Sequence, residues 1–204
     1  MMTADFRSIS AKQVGELLFI GAKEAAKRSR EQAGTFGENI EAMTAVTLCV
    51  TVAEAVINEL CHWFEFHRYR LPFEATLELP QDFDRLELRQ KWQLFPIVVR
   101  QRSFDRSTEP WQSFDALIEL RNYVVHPKRR APPKKAAGVI VSKLKTRDFG
   151  HEVARWACTT MFDMIREMTR LIEPPPEWIG IFWRWTPTYF PPGLSTPGNP
   201  EGPA

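Results

Sequence analysis

The chain has 204 residues, enough for one domain with a substantial buried core. Its 44% apolar and 25% charged residues are ordinary for a globular protein. A net charge of +2 gives no global attraction to nucleic acid, so any such affinity must come from local clusters.

Helix signals recur along the chain. Ser10 with Gln13 makes a capping box for a first helix to about Gln32, and Gly34 suits its C-terminal stop. Thr35 with Glu38 is a second box, opening the longest helix, to about His67 with Pro72 beyond. Met43, Val46, Val50, Ala53, Ile57, Leu60 and Phe64 recur there at steps of three and four, a core-facing seam. Leu71 to Pro80 reads as a loop. Asp84 with Glu87 is expected to start a third helix that Pro96 kinks or splits. After a polar turn, Ser103 to Pro110, a fourth helix capped by Ser107 or Thr108 must finish near His126, because Pro127 disfavours helical geometry before it.

Lys128 to Lys135 is a basic, proline-containing loop, and Val139 to Leu144 a short apolar run, extended or helical. A fifth helix is predicted over Asp148 to Glu173, with Val153, Ala157, Thr160, Met164, Met168 and Leu171 on one face and Pro174-Pro175-Pro176 ending it. Strand signals are nearly absent, so the fold class is all-α. The predicted division is a bundle of four to five helices over residues 1–173 and a proline- and aromatic-rich tail over 174–204, its last part disordered. Trp178 to Phe190 in that tail is expected to pack on the bundle or across a dimer rather than expose its rings.

Cys49, Cys61 and Cys158 have neither disulfide-framework nor zinc spacing, which points to buried thiols in a reducing compartment. No signal-peptide pattern opens the chain, and the most apolar run, Ala42 to Ala53, is shorter than a membrane span of roughly 20 residues. The expected location is the cytoplasm, without a membrane partner. Phosphate-binding glycine loops, nucleophile elbows and dinucleotide fingerprints are missing, which weighs against an ATPase, an elbow-type hydrolase and a dehydrogenase. His62, His67 and His151 have no recognised ligand spacing, so neither a metal nor a cofactor is expected, and His151 reads as solvated.

The fourth helix carries the strongest chemical signal. Trp111, Phe114, Ile118, Arg121 and Val125 step along one face, and Arg121 stands where the pattern asks for an apolar residue. A buried guanidinium needs a partner or a wet cleft. Glu54, beside the seam of the second helix, is one such partner, and Asn58 one turn on would extend the network. Asn122 and His126 are four apart and share a face. Arg121 and His126 lie about 140° apart on a continuing helix, but Pro127 stops it and frees the imidazole. Arg, amide and His together suit phosphate chemistry without a metal.

Leu117-Ile118-Glu119-Leu120-Arg121-Asn122-Tyr123-Val124-Val125-His126 resembles the signature of the HEPN superfamily, an Arg, often a following polar residue, then a His after four to six intervening residues. The long second helix with Glu54 and Asn58 and the Lys91-Trp92 helix agree with its helix order, over roughly Ser10 to Glu173. The resemblance implies a helical bundle that often forms a homodimer, whose two Arg–His sets line one composite cleft and cleave RNA without metal. Arg121 would stabilise the phosphorane, His126 would move a proton or position the hydroxyl, and Asn122 would orient the groups. Lys128, Arg129, Arg130, Lys134 and Lys135 would hold the RNA backbone. Such proteins often act as toxins, with an antitoxin protein as partner, or in defence against phage. Two other readings stay open: a non-catalytic helical module binding RNA, nucleotide or protein, and a plain scaffold in which Arg121 pairs with Glu54.

Overall fold

A computed structural model describes residues 11–67, 78–126, 149–176 and 179. Among these residues the chain forms five α-helices and no strand: α1 (Ala11–Glu31), α2 (Phe36–His67), α3 (Leu88–Arg100), α4 (Trp111–Val125) and α5 (His151–Leu171), with a 3-10 turn at Phe83–Arg85. It is an all-α bundle.

α1 and α2 form an antiparallel hairpin. Gly34 turns the corner in the left-handed region (φ 81°), where glycine has no Cβ penalty. Small residues let the two helices lie close: Ala22, Ala25 and Ser29 of α1 are fully buried, and a Cβ on Gly21 would sit 3.4 Å from Leu48. The Ser29 hydroxyl donates to the Glu38 carbonyl (2.9 Å). A two-pronged Arg28–Glu41 pair (3.0 and 2.9 Å) fastens the outer edge.

The apolar seam read from α2 is only part of its buried surface. Ala42, Ala45, Cys49, Val52, Val56 and Cys61 are buried as well, while Met43 is only partly so. The reason is position: α2 touches all four other helices, so its sides face protein almost all round. Among the described residues, Phe36–Phe66 is the one stretch long and apolar enough to cross a membrane. The apolar run that stops at Glu54 in sequence thus belongs to a longer apolar helix, which here is the centre of the bundle.

α2 starts at Phe36, directly after Thr35 as expected, but its cap differs, and the starts of α3 and α5 move. The Glu38 carboxylate accepts the Gly34 N–H (2.6 Å), while the Thr35 hydroxyl donates backward to the Gln32 carbonyl, so Thr35 does not cap α2. Asp84 belongs to the 3-10 turn, and α3 begins at Leu88, where Gln90 Oε1 accepts the Glu87 N–H (2.9 Å). α5 begins at His151 rather than Asp148. Pro96 lies buried inside α3 without splitting it.

Trp92, Phe104, Trp111 and Phe114 form one aromatic cluster, with ring centroids 5.2–6.1 Å apart, that locks the start of α4 onto α3. Burial of each such ring contributes about 2–3 kcal/mol. Trp92 Nε1–H donates to the Ala53 carbonyl (3.1 Å), tying α3 to α2. The face predicted for α5, from Val153 to Leu171, is buried throughout. Arg100 donates to the Glu173 carbonyl (Nε 2.7 Å) and Arg102 to that of Arg170 (3.3 Å), which satisfies the C-terminal end of α5. Ile172 and Ile179 are still fully buried, so the chain immediately after α5 remains on the core. The apolar run Val139 to Leu144 and the aromatics from Trp178 to Phe190 lie outside the described residues.

Candidate functional site

The site is built where α4 leaves the core. Trp111, Phe114, Ala116, Leu117, Ile118 and Leu120 are buried, whereas Val125 is 47% exposed. Arg121 is therefore not an interruption of a buried seam: it marks the boundary at which α4 emerges, with its side chain 26% exposed. Its Nη2 donates to Glu54 Oε1 at 2.7 Å, and among the described residues Glu54 is its one hydrogen-bonding partner. Glu54 is 45% exposed, so water screens this pair and its contribution to stability is below about 1 kcal/mol. The contact positions a guanidinium at the surface rather than holding the fold together.

Asn58, one turn along α2, does not join Arg121. Its Oδ1 accepts from Lys91 Nζ of α3 (3.3 Å). Two cations from two helices are thus tethered to two acceptors spaced i, i+4 on α2. Lys91 also lies 5.9 Å from the centroid of Phe83. Nearby, Arg89 of α3 is neutralised: its Nε meets Asp115, its Nη2 lies 3.7 Å from Glu119, and Nη2 also donates to the Asp115 carbonyl (3.0 Å). Lys91 makes no ion pair among the described residues.

α4 stops at Val125. His126 is its C-cap, with a non-helical backbone (φ −129°, ψ 60°) and its N–H donated to the Asn122 carbonyl (3.0 Å). The imidazole side is exposed. Asn122 is half-buried and linked to His126 through the backbone alone. No hydrogen bond or ion pair joins Arg121 to His126 among the described residues. Behind this end of the helix, Tyr123 stacks on Phe149 (6.5 Å, 29°), which brings the start of α5 against the end of α4. Lys128, Arg129, Arg130, Lys134 and Lys135 lie outside the described residues.

His62 and His151 have other surroundings, and the side chain of His67 lies outside the described ones. His62 is exposed and meets Phe66 edge-on (4.7 Å). His151 is not simply solvated, because its Nδ1 lies 2.7 Å from Glu38 Oε1 and its backbone N–H donates to the same oxygen (2.8 Å). The His151 N–H foremost, then that of Gly34, lowers the Glu38 carboxyl to about 2.

Two buried groups lie apart from this site. Glu59 is 9% exposed, Oε1 accepts a long bond from the Gly15 N–H (3.4 Å), and Oε2 is buried without a hydrogen-bond partner among the described residues. Burial pushes its carboxyl up to about 7. The thiols of Cys49 and Cys158 touch at 3.8 Å between α2 and α5, and burial raises Cys49 well above the usual thiol range.

Lys91 is the residue whose place sequence reasoning missed. It marked a helix, and its juxtaposition with Asn58 depends on how α3 docks, which no local spacing encodes. Among family models, curated proteins and solved structures, the chain has no match.

Proposed function

We propose that the protein is a HEPN-type endoribonuclease acting as a homodimer, in which two copies of the α4 end form one composite site. The observation that carries this reading is the emergence of Arg121 and His126 at the end of one helix, the first anchored by Glu54 (2.7 Å) and the second released as the C-cap. Arg121 has the planar donor set that fits a phosphoryl group. His126 is exposed and of a type that moves protons near neutral pH.

In this reading the 2′-hydroxyl attacks the adjacent phosphorus and the 5′-oxygen leaves. The 2′-proton passes to a base, the leaving oxygen takes up a proton, and a 2′,3′-cyclic phosphate and a 5′-hydroxyl result. Arg121 offsets charge on the phosphorane, His126 serves proton transfer or positions the hydroxyl, and Asn122 orients the groups. The basic segment with Lys128, Arg129, Arg130, Lys134 and Lys135 supplies further backbone attraction. We place the protein in the cytoplasm, as a toxin with an antitoxin partner or a phage-defence effector.

The deciding experiment is cleavage of RNA in EDTA by wild type, Arg121→Ala and His126→Ala. The expected result is cyclic-phosphate product from the wild type and a loss of roughly a hundredfold or more in each variant. Equal cleavage by all three, or a monomer in solution, overturns the reading. The Glu54–Arg121 pair also favours a second reading, a non-catalytic helical module, because it already engages the guanidinium. That reading predicts RNA, nucleotide or protein binding without turnover.

A further inference from the structure

We infer that Lys91 is a second phosphate-binding group, which holds the backbone phosphate next to the one that meets Arg121. The inference rests on reading the α4 end as an RNA site, and it adds a residue from a different helix.

Charge balance comes first. Around the α2–α3–α4 junction, Arg89 faces Asp115 and Glu119, and Arg121 faces Glu54. Among the described residues Lys91 makes no ion pair, and its contacts are the neutral amide of Asn58 and the ring of Phe83, with Glu65 and Asp84 acting beside it only on the Cys61 thiol. A neutral acceptor orients an ammonium without cancelling its charge, and one hydrogen bond leaves two of its three donors for a ligand. A fold that needed Lys91 only as a clamp would be served better by a carboxylate at position 58.

Spacing comes second. Glu54 and Asn58 are one turn apart on a continuous helix, about 6 Å along its axis. The two cations are therefore held by neighbouring acceptors on one face of α2, an arrangement that suits consecutive phosphates of one nucleotide strand. Arg121 presents a planar fork and Lys91 a compact point charge, which suits recognition at one phosphate and electrostatic anchoring at its neighbour. Asn58 is exposed and Lys91 half-buried, so this arrangement is reachable from solvent.

The test compares wild type, Lys91→Gln and Asn58→Asp. Binding of a fully 2′-O-methylated single-stranded oligonucleotide, which cannot be cleaved, is measured across a salt series, and cleavage of the unmodified strand is followed in EDTA. Lys91→Gln is expected to lower the slope of log affinity against log salt by about 0.7, the share of one phosphate on a single strand. It should raise KM several-fold with kcat within about twofold, the pattern of uniform binding. Asn58→Asp should weaken binding as well, while its melting temperature holds or rises, an outcome that a merely structural Lys91 would not give. A wild-type slope in Lys91→Gln, or undiminished binding by Asn58→Asp, overturns the inference, as does absence of wild-type binding. Cleavage with an unchanged slope removes Lys91 alone. A reduced slope without any cleavage removes the ribonuclease and leaves the phosphate site.

Discussion

Glu38, in the first turn of α2, accepts both the backbone N–H and the Nδ1 side of His151 at the first turn of α5, 113 residues away in sequence. A single carboxylate thus replaces a local N-cap for α5, whose own N-cap residue is Gly150. It also takes the Gly34 N–H, so the α1–α2 turn and the start of α5 share one anchor.

Glu38→Ala is expected to cost about 1–2 kcal/mol, since it removes the acceptor shared by the part-buried His151 N–H and the exposed Gly34 N–H. The acid limb follows in sign. The folded carboxyl titrates near 2 against an ordinary value of 4.5, so its stabilisation is complete above about 4.5 and is lost as pH falls toward 2. Thermal melts at pH 7 and pH 3 should show a smaller acid-induced drop in Glu38→Gln than in wild type. Parallel drops would remove Glu38 as the cause.

Glu59 predicts the opposite limb. Burial raises its folded carboxyl from 4.5 to about 7, with only the Gly15 N–H facing it among its described hydrogen-bond partners. The folded state then holds a proton that the unfolded chain releases above about 4.5. Stability is unpenalised below that value and declines as pH rises toward and through 7. Glu59→Gln, which keeps an acceptor for Gly15, should therefore melt several degrees above wild type at pH 8 and match it near pH 4.5. Equal curves at both values would refute this assignment.

Glu54 separates anchoring from stability. Because the pair with Arg121 is partly exposed, Glu54→Gln should change unfolding free energy by less than about 1 kcal/mol in urea titrations. If the site cleaves RNA as proposed, the same variant should lower kcat about tenfold through loss of guanidinium positioning. A large stability loss would mark the pair as structural.

The thiols give a direct probe of packing. Cys49, Cys61 and Cys158 are all buried and free, and burial pushes Cys61 and Cys49 above the usual range. Alkylation in native buffer should be slower than in urea by several orders of magnitude. Fast labelling of Cys49 in the folded protein would contradict the α2–α5 packing.

Much of the fold was legible from periodicity. The face from Val153 to Leu171 and the end of α4 before Pro127 follow from apolar spacing and from proline geometry, which are local properties. Helix starts were less legible because tertiary partners override local caps: Glu38 serves α5, and Asp84 falls in a 3-10 turn while Glu87 opens α3. At the site, Arg121 stood out as a broken pattern, yet the pattern was incomplete, because α4 itself leaves the core there. Asn58 was grouped with Glu54 on α2, but its partner came from α3, and a docking angle cannot be read from one helix.

α5 is the last of the described α-helices and, like α2, it touches all the others among them. The hairpin of α1 and α2 joins near neighbours in sequence and closes early at low entropic cost, whereas α5 must return across more than a hundred residues to meet Glu38 and Cys49. Until it does, the side of α2 that carries Cys49 has no cover. The thiol of Cys49 is therefore a built-in clock for assembly: in a refolding chain pulsed with alkylating reagent, the time at which it becomes protected dates the docking of α5.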